Sequence, residues 1–164
     1  MIQYSLYKGA KGPKQSQQYG WGAIQFQLKP AVLSDNFKNE KEGVIFVNAA
    51  SSTAADVYDW SNKFVFAMGL PDLGKIIRFF VAGGAGESLS LYHDPDKGKE
   101  NEGTRSKTMS FYTKDGCLNG CMITCSMKSE EEQVQHKIPV SGDEVIILKN
   151  LFEAAIPAIL GWNK

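Results

Sequence analysis

The sequence predicts a single α+β domain, spanning residues 1–164, with two antiparallel sheets and helices kept apart from them. Three observations indicate this class. Apolar and polar residues alternate through most of the chain from residue 20 to 140, helical spacing occurs only twice, and turn residues separate the alternating segments. A chain of 164 residues with 43% hydrophobic and 22% charged residues suits one globular domain that needs no disulfide or metal.

Four strands are expected before the first helix. Gly22 to Lys29 alternates cleanly, Gly43 to Ala50 forms the next strand, and Asp56 to Met68 offers two short strands or one bent strand. Leu70-Pro71-Asp72 begins the helix, because proline is favoured in a first helical turn, and Gly83-Gly84 ends it.

Four more strands follow this helix, at about 87–93, 104–112, 117–128 and 133–139. Ser141 and Glu144 then form a capping box for a closing helix. From Val145 to Ile156 this helix is apolar on nearly every side, and such a helix must be buried all round. Two explanations stay open: it is clamped between the two sheets of one monomer, or part of its surface faces another subunit.

The formal net charge is zero, with 18 basic and 18 acidic residues, which counts against a binder of nucleic acid. Residues 1–41, however, contain six lysines and only two acidic residues, so a basic face is compatible with the total. No signal peptide, transit peptide or membrane span is visible. With three cysteines, this indicates an intracellular protein of the cytoplasm or nucleoid, or of an organelle if a presequence was removed.

One face of the strand near residue 20 is the most informative surface. Opposite its apolar residues lie Tyr19, Trp21, Gln25, Gln27 and Lys29. Aromatic rings can stack on unpaired bases, and an ammonium can neutralise a phosphate. The alternative is an ordinary solvated strand whose aromatic rings cover a neighbouring loop.

Two further groups mix cations with aromatic residues. Lys8 and Lys11 lie in a segment rich in tyrosine and glycine, and we expect residues 1–18 to form a flexible basic arm along a phosphate backbone or a frayed polar terminus. Arg105 and Lys107 share a strand face with Met109 and Phe111, although lysines at a sheet edge often serve only to prevent aggregation.

No catalytic or metal site is predicted. Cys117, Cys121 and Cys125 read as buried, inert thiols, because a closed zinc site needs four ligands with a close pair in a turn. His93 and Asp94 are adjacent on a strand and point to opposite faces, so they do not orient each other. We therefore expect no enzyme, no cofactor and no small-molecule substrate.

Several segments, taken in order, resemble the Whirly family of single-stranded DNA-binding proteins. The resemblance covers residues 42–162, with spacing close to that of the family. The segments are Glu42-Gly43-Val44-Ile45-Phe46, Val57-Tyr58-Asp59-Trp60, Lys63-Phe64-Val65-Phe66-Ala67-Met68, Asp72-Leu73-Gly74, Leu91-Tyr92-His93-Asp94-Pro95, Gly103, Lys107, Asp115-Gly116, Ile138-Pro139-Val140 and Ile156-Pro157-Ala158-Ile159-Leu160-Gly161-Trp162.

The resemblance implies two four-stranded antiparallel sheets packed crosswise, a short helix between them and a C-terminal helix, with the helices holding a homotetramer together. It implies binding of single-stranded DNA with little sequence preference, to protect or organise it in replication, repair or transcription. Single-stranded or guide RNA is the alternative ligand, because kinetoplastid guide-RNA-binding proteins share the fold. A protein–protein scaffold that uses the apolar C-terminal helix is an alternative of another class.

The family carries a motif like Lys-Gly-Lys-Ala-Ala-Leu-Ser in its first strand. Gly20-Trp21-Gly22-Ala23-Ile24-Gln25 fits that position, with Tyr19 and Trp21 where lysines are expected, whereas Tyr7-Lys8-Gly9-Ala10-Lys11 looks more like the motif but lies upstream. Both assignments stay open. The binding residues that we expect are Lys8, Lys11, Tyr19, Trp21, Gln25, Gln27, Lys29, Lys63, Arg105 and Lys107.

Overall fold

The structure is a computed structural model that describes residues 2–8, 21–34, 39–54, 56–100, 102–103 and 105–162. Its strands and helices are β1 (Ile2–Tyr7), β2 (Gly22–Lys29), β3 (Val32–Leu33), β4 (Asn39–Lys41), β5 (Val44–Ala54), β6 (Val57–Tyr58), β7 (Phe64–Met68), α1 (Leu70–Ala82), β8 (Ser88–His93), β9 (Ser106–Tyr112), β10 (Cys121–Lys128), β11 (Gln133–Val140) and α2 (Gly142–Leu160).

Nine of these strands form two antiparallel sheets. In the first sheet β1 pairs with β2, β2 with β5, and β5 with β7, while the short β6 pairs with the far end of β5. The second sheet has the order β11-β10-β9-β8. The prediction of two antiparallel sheets with helices kept apart from them is confirmed.

The core lies between the sheets and the helices, and a chain of aromatic side chains crosses it. Phe26 of the first sheet meets Phe152 of α2 edge-on, with ring centroids 5.3 Å apart. Phe152 stacks on Phe80 of α1 at 6.2 Å, and Phe80 meets Phe111 of the second sheet at 5.8 Å. The rings of all four are at most 5% exposed, so one continuous cluster joins both sheets through both helices.

The closing helix α2 begins with the expected capping box. The Ser141 hydroxyl accepts the Glu144 N–H at 3.3 Å, and the Glu144 carboxylate accepts the Ser141 N–H at 2.9 Å. One face of α2 is buried, but the described residues leave another face uncovered: Ile146 is 47% exposed, Ile147 43% and Leu151 39%. The explanation in which a single monomer clamps the helix on all sides is therefore wrong.

The first sheet contains a strand that the sequence did not predict. Residues 1–18 are expected to form a flexible arm or a frayed terminus, but Ile2–Tyr7 forms β1 and pairs with β2 over its whole length. The reason is packing, because Leu6 is buried and Tyr4 packs against the core. The arm is therefore wrong for residues 2–7, and residues 9–18 lie outside the described part of the chain.

The strand predicted at 117–128 is shorter than expected. Cys117–Asn119 forms a single 3-10 turn, and the strand starts at Cys121. Gly116 and Gly120 flank this turn with φ values of 92° and 109°, which a side chain would strain. The two glycines thus end the extended conformation before β10 begins.

Candidate nucleic-acid interface

The outer face of the first sheet, opposite the buried residues of β2, carries a row of hydrogen-bonded amides. Gln27 Nε2 donates to Gln3 Oε1 at 2.8 Å, and Asn48 Nδ2 donates to Gln27 Oε1 at 3.4 Å. Gln3 Nε2 donates in turn to Ser5 Oγ at 3.0 Å. Gln25 lies between Ser5 and Asn48 in the strand register. Because these amides use part of their hydrogen-bonding capacity on one another, the orientations of their side chains on this face are restrained.

Lys29 stands at the end of this row. Its side chain is exposed, and its Nζ lies 5.9 Å from the ring centroid of Phe46, which pairs with Gln27 across the strands. This arrangement is a cation–π contact at the surface. It places the ammonium of Lys29, which can pair with a phosphate, beside the half-buried ring of Phe46, on which a base can stack.

Three aromatic rings form a chain beside the amide row. The ring centroids of Tyr7 and Tyr58 lie 5.6 Å apart, and those of Tyr58 and Trp60 lie 6.4 Å apart. The Asp59 carboxylate fixes the turn that carries Trp60 by accepting two backbone N–H groups. Neither Tyr58 nor Trp60 is among the binding residues predicted from the sequence, where residues 57–60 entered only through the family resemblance.

Trp21 lies at the same end of the sheet as these three rings. Its carbonyl accepts the Ser52 N–H at 3.2 Å, and Ser52 pairs with Tyr58 in the hairpin of β5 and β6. The Trp21 side chain is half-buried. The backbone of this predicted residue therefore lies at the end of the sheet where aromatic residues from distant parts of the sequence meet. Two other predicted residues, Lys11 and Tyr19, lie outside the described residues.

Lys8, another predicted residue, is held by a carboxylate of α2. Its Nζ lies 2.6 and 2.7 Å from the two carboxylate oxygens of Glu144. Burial tends to raise the pKa of Glu144, but the bonds from Lys8 and Ser141 outweigh it and leave that pKa below its ordinary value. A phosphate would have to displace Glu144 to reach this ammonium, so in the structure Lys8 links β1 to α2.

Arg105 is occupied in a similar way. Its Nε and one terminal nitrogen donate to the two carboxylate oxygens of Asp96 at 2.6 and 2.7 Å. Asp96 is 3% exposed, and the hydrogen bond from Arg105 holds the pKa of this carboxyl below its ordinary value, while the carboxylate raises the pKa of Arg105. The pair closes the loop between β8 and β9, and we assign Arg105 a structural contact there.

Lys107 shares a face with Met109 and Phe111, as predicted, but this face is the inner one. Met109 and Phe111 are fully buried, so the prediction of an exposed face like that of β2 is wrong for Met109 and Phe111. Lys107 Nζ donates to the Val65 carbonyl of β7 at 2.8 Å. Burial lowers the pKa of Lys107, and the nearby charge of Arg105 lowers it further.

Lys107 forms one wall of a groove of about 400 Å³ between β7 and the end of β8. In this groove the His93 ring stacks on Phe66 at 4.0 Å, and its Nε2 lies 3.1 Å from an Asp72 carboxylate oxygen. Lys63, also predicted as a binding residue, is exposed and immediately precedes β7. Of the predicted cations, Lys29 thus lies on the outer face of the first sheet, and Lys63 and Lys107 lie at the margin of β7. Lys8 and Arg105 are paired with carboxylates elsewhere.

The charge distribution over the strands is one-sided. β1, β2, β5 and β7 to β11 contain four lysines, and none of these eight strands contains an Asp or Glu. Lysine is no more favoured in strands than glutamate, so strand propensity does not explain the difference. The acidic residues that bring the net charge to zero therefore lie outside the two sheets.

Reactive groups in the described residues are few. No three of their His, Cys, Asp and Glu side chains come close enough to hold a metal ion. Cys117, Cys121 and Cys125 are buried, and burial raises the pKa of Cys117 to about 11 and that of Cys121 to about 12. The interpretation as buried thiols is confirmed. None of the helices described is both long enough and apolar enough to span a membrane.

Comparison with protein families and sequences gives a consistent match. The model of the Whirly transcription factor family matches residues 17–151. A chloroplastic single-stranded DNA-binding protein WHY1 of Solanum tuberosum is 31% identical over 133 residues, which cover 79% of this chain and 46% of that protein. WHY1 of Zea mays is 28% identical over 167 residues, covering 98% and 56%. The chain spans about half the length of the curated relatives it matches.

Solved structures show the same fold. WHY3 from Arabidopsis thaliana aligns with a TM-score of 0.80 at 24% identity, covering 99% of this chain and 90% of that one. The plant transcriptional regulator PBF-2 aligns with a TM-score of 0.79 at 27% identity, covering 98% and 83%. MRP1/MRP2 of Trypanosoma bruciei align at 0.58 and 6% identity over 99% and 87%, which indicates a likeness of fold alone.

Proposed function

The chain belongs to the Whirly family, and from that premise we propose that it binds single-stranded DNA with little sequence preference. The observation that carries the proposal is the one-sided charge of the two sheets, whose strands contain four lysines and no carboxylate in a chain of zero net charge. A polyanion that lies along either sheet meets no fixed negative charge on the strands. The proposed role is to protect or organise unpaired DNA in replication, repair or transcription.

Stacking supplies the second part of the argument. The chain of Tyr7, Tyr58 and Trp60 lies next to the amide row of the first sheet, and Trp21 lies at the same end of that sheet. Base–aromatic stacking contributes about 1–3 kcal/mol per base and tolerates every sequence. Bases in a duplex are already stacked on one another, so this surface favours unpaired strands.

The same surface explains why sequence preference should be weak. Readout of a base edge needs free donors and acceptors in a fixed geometry. The side chains of Gln3, Gln27 and Asn48 are hydrogen-bonded to one another. We therefore expect DNA affinity to vary little between mixed sequences of the same length.

The salt dependence of binding tests the balance between charge and stacking. A labelled oligonucleotide is titrated by fluorescence anisotropy at several salt concentrations. Each neutralised phosphate of a single strand contributes about −0.7 to the slope of log K against log salt, so contact with about three lysines gives a slope of about −2. A slope steeper than about −5 would contradict a surface that depends mainly on stacking.

Trp21→Ala tests the aromatic part directly. The variant should lose about 1–3 kcal/mol of binding free energy while its oligomeric mass stays unchanged. Trp21→Phe is the matched control, because it keeps a ring at the same position and should retain most of the affinity. An unchanged affinity in Trp21→Ala would remove Trp21 from the site.

The proposal includes a homotetramer that forms through α2. Its uncovered face presents Ile146, Ile147 and Leu151, and several large apolar side chains exposed on one helix indicate an interaction site. Light scattering of the purified chain should give four times the mass of one protomer. A monomer at micromolar concentration would contradict this part of the proposal.

Two alternatives are separated by simple controls. Stacking does not discriminate DNA from RNA, so an RNA oligonucleotide of the same sequence belongs in the same titration. A protein–protein scaffold would instead use the exposed face of α2, and it would give a stable hetero-complex without bound nucleic acid.

The curated relatives are named as chloroplastic or mitochondrial, and we place the proposed role in an organelle that contains DNA.

A further inference from the structure

The amine of Lys107 is held by a neutral group. Its Nζ donates to the Val65 carbonyl at 2.8 Å, and within the described part of the chain no ion pair joins it to a carboxylate. Lys8 and Lys149, by contrast, are each paired with a carboxylate. A carbonyl accepts a hydrogen bond from a neutral amine as well as from an ammonium, so the contact with Val65 does not require a protonated Lys107.

The surroundings of Lys107 favour the neutral form of its amine. Burial lowers the pKa of Lys107, because an ammonium loses free energy of hydration when it leaves water, and the positive charge of Arg105 lowers that pKa further. A buried lysine beside another cation is a nucleophile, since the neutral amine has a free electron pair that the ammonium lacks. Lys107 therefore presents more reactive amine near neutral pH than a lysine of ordinary pKa.

The groove beside Lys107 offers room for a small molecule. Its volume of about 400 Å³ lies within the range of about 300–1,000 Å³ that is typical of small-molecule sites. Lys97 and Lys107 both line it, together with Phe66 and His93. The His93 ring stacks on Phe66, and its Nε2 lies 3.1 Å from an Asp72 oxygen, so this wall of the groove is held in place from two sides.

The charged groups that line the groove favour an anion. Lys97 and Lys107 are its lysines, and Asp94 is the carboxylate among its lining residues. One Asp94 oxygen accepts the Asp96 N–H at 2.8 Å and the other accepts the Gly103 N–H at 2.9 Å, so both bond the backbone of the loop after β8. An anion in the groove therefore meets two cations and a carboxylate that is already occupied.

We propose that Lys107 is a site of acylation and that this groove binds the acyl donor, a small acyl phosphate. Such a molecule combines the two features that the groove selects, an anionic phosphate for Lys97 and an electrophilic carbonyl carbon for the Lys107 amine. The site goes beyond the proposed function and does not depend on it. Acylation would remove one of the four lysine charges that the strands of the two sheets carry.

The reaction needs no further reactant. The neutral amine of Lys107 attacks the carbonyl carbon, a C–N bond forms, and the C–O bond between the acyl group and the phosphate breaks. The phosphate leaves with the electron pair of that bond, and the proton lost by the nitrogen passes through solvent to the phosphate. The products are an uncharged amide on Lys107 and inorganic phosphate.

The test treats the full chain with acetyl phosphate near neutral pH and follows the acetylation of each lysine by peptide mass spectrometry. Lys137 is the matched reference, because it is an exposed lysine on β11 of the same sheet. Clefts lined by charge of one sign raise rates by about 10–1,000-fold, so Lys107 should react at least about 10-fold faster than Lys137. Modification of Lys107 at the same rate as Lys137, or more slowly, would overturn the proposal.

Lys97→Ala tests the role of the groove. Lys97 is exposed, so the variant should melt at the same temperature as wild type. Loss of one exposed charge should slow the acetylation of Lys107 by acetyl phosphate on the order of 3-fold, while the rate with acetic anhydride, a neutral donor, should not change. Equal effects on both reagents, or no effect on either, would show that the groove does not bind the donor. The experiment contains no nucleic acid, so its outcome is independent of the proposed function.

Discussion

Replacing Phe152 with alanine tests the packing by which α2 joins the two sheets. The side chain is 1% exposed, meets Phe26 edge-on at 5.3 Å and stacks on Phe80 at 6.2 Å. Truncation of a buried phenylalanine costs about 3–5 kcal/mol, and each aromatic pair accounts for about 0.5–1.5 kcal/mol of such an effect. Because the two partners lie on different elements, the cavity cannot collapse easily. We expect a loss of about 4 kcal/mol in the free energy of unfolding.

Leu151→Ala is the matched control on the same helix. Leu151 is the preceding residue, is 39% exposed and lies on the uncovered face of α2. Its truncation should lower the stability of the monomer by less than about 1 kcal/mol, but it should weaken the tetramer.

Urea denaturation, followed by circular dichroism and light scattering, measures both effects. The protein is used at a concentration where the monomer dominates, because the stability of an oligomer depends on concentration. Equal losses in the two variants, or a loss below 1 kcal/mol in Phe152→Ala, would refute the assignment of a buried and an uncovered face.

Three further predictions concern titratable groups. Burial lowers the pKa of His136, whose Nδ1 lies 2.7 Å from Ser51 Oγ, and the nearby charge of Asp59 opposes this effect only in part. The stability that neutral His136 contributes should therefore be complete above pH ~6.5 and should fall as the pH drops below that value. The difference in melting temperature between wild type and His136→Gln should accordingly narrow from pH 7.5 to 5.5. The pKa of Glu144 is lowered, so the stability it contributes is present above pH 4.5 and is lost as the pH falls through the lowered pKa. Glu144→Gln should therefore cost about 1 kcal/mol of unfolding free energy in urea at pH 7 and less at pH 3, and an equal cost at both pH values would contradict the pair with Lys8. The buried cysteines should react with a thiol reagent only as fast as the chain unfolds, and rapid reaction in native buffer would show that they are accessible.

Local signals in the sequence predicted most of the elements. β2 has the predicted bounds, α1 begins at Leu70 and ends before Gly83, and Ser141 caps α2. Each of these depends on alternation, on a proline or glycine, or on a capping pair within a few residues. β1 was missed although Ile2, Tyr4 and Leu6 alternate with Gln3 and Ser5, because the segment is short and pairs with β2 across a long connection.

The candidate site was harder to predict, because the tertiary structure determines which face of each strand is exposed. Alternation places Lys107 with Phe111 but does not say that this face turns inward. Tyr58 contacts Tyr7 because the pairing of β1, β2 and β5 and the hairpin after β5 bring the two residues together. The carboxylates that pair with Lys8 and Arg105 also come from other segments of the chain. The sequence therefore indicated which types of residue the site contains, but not which other side chains each of them contacts.

The central claim is that this protein prefers unpaired strands, and a direct comparison of two DNA forms tests it. The same labelled oligonucleotide is titrated with the wild-type chain, once single-stranded and once annealed to its complement, in the same buffer and salt. Stacking on exposed rings predicts that the single strand binds at least about 10-fold more tightly than the duplex. Equal affinity for both forms, or no binding to either, would contradict the claim.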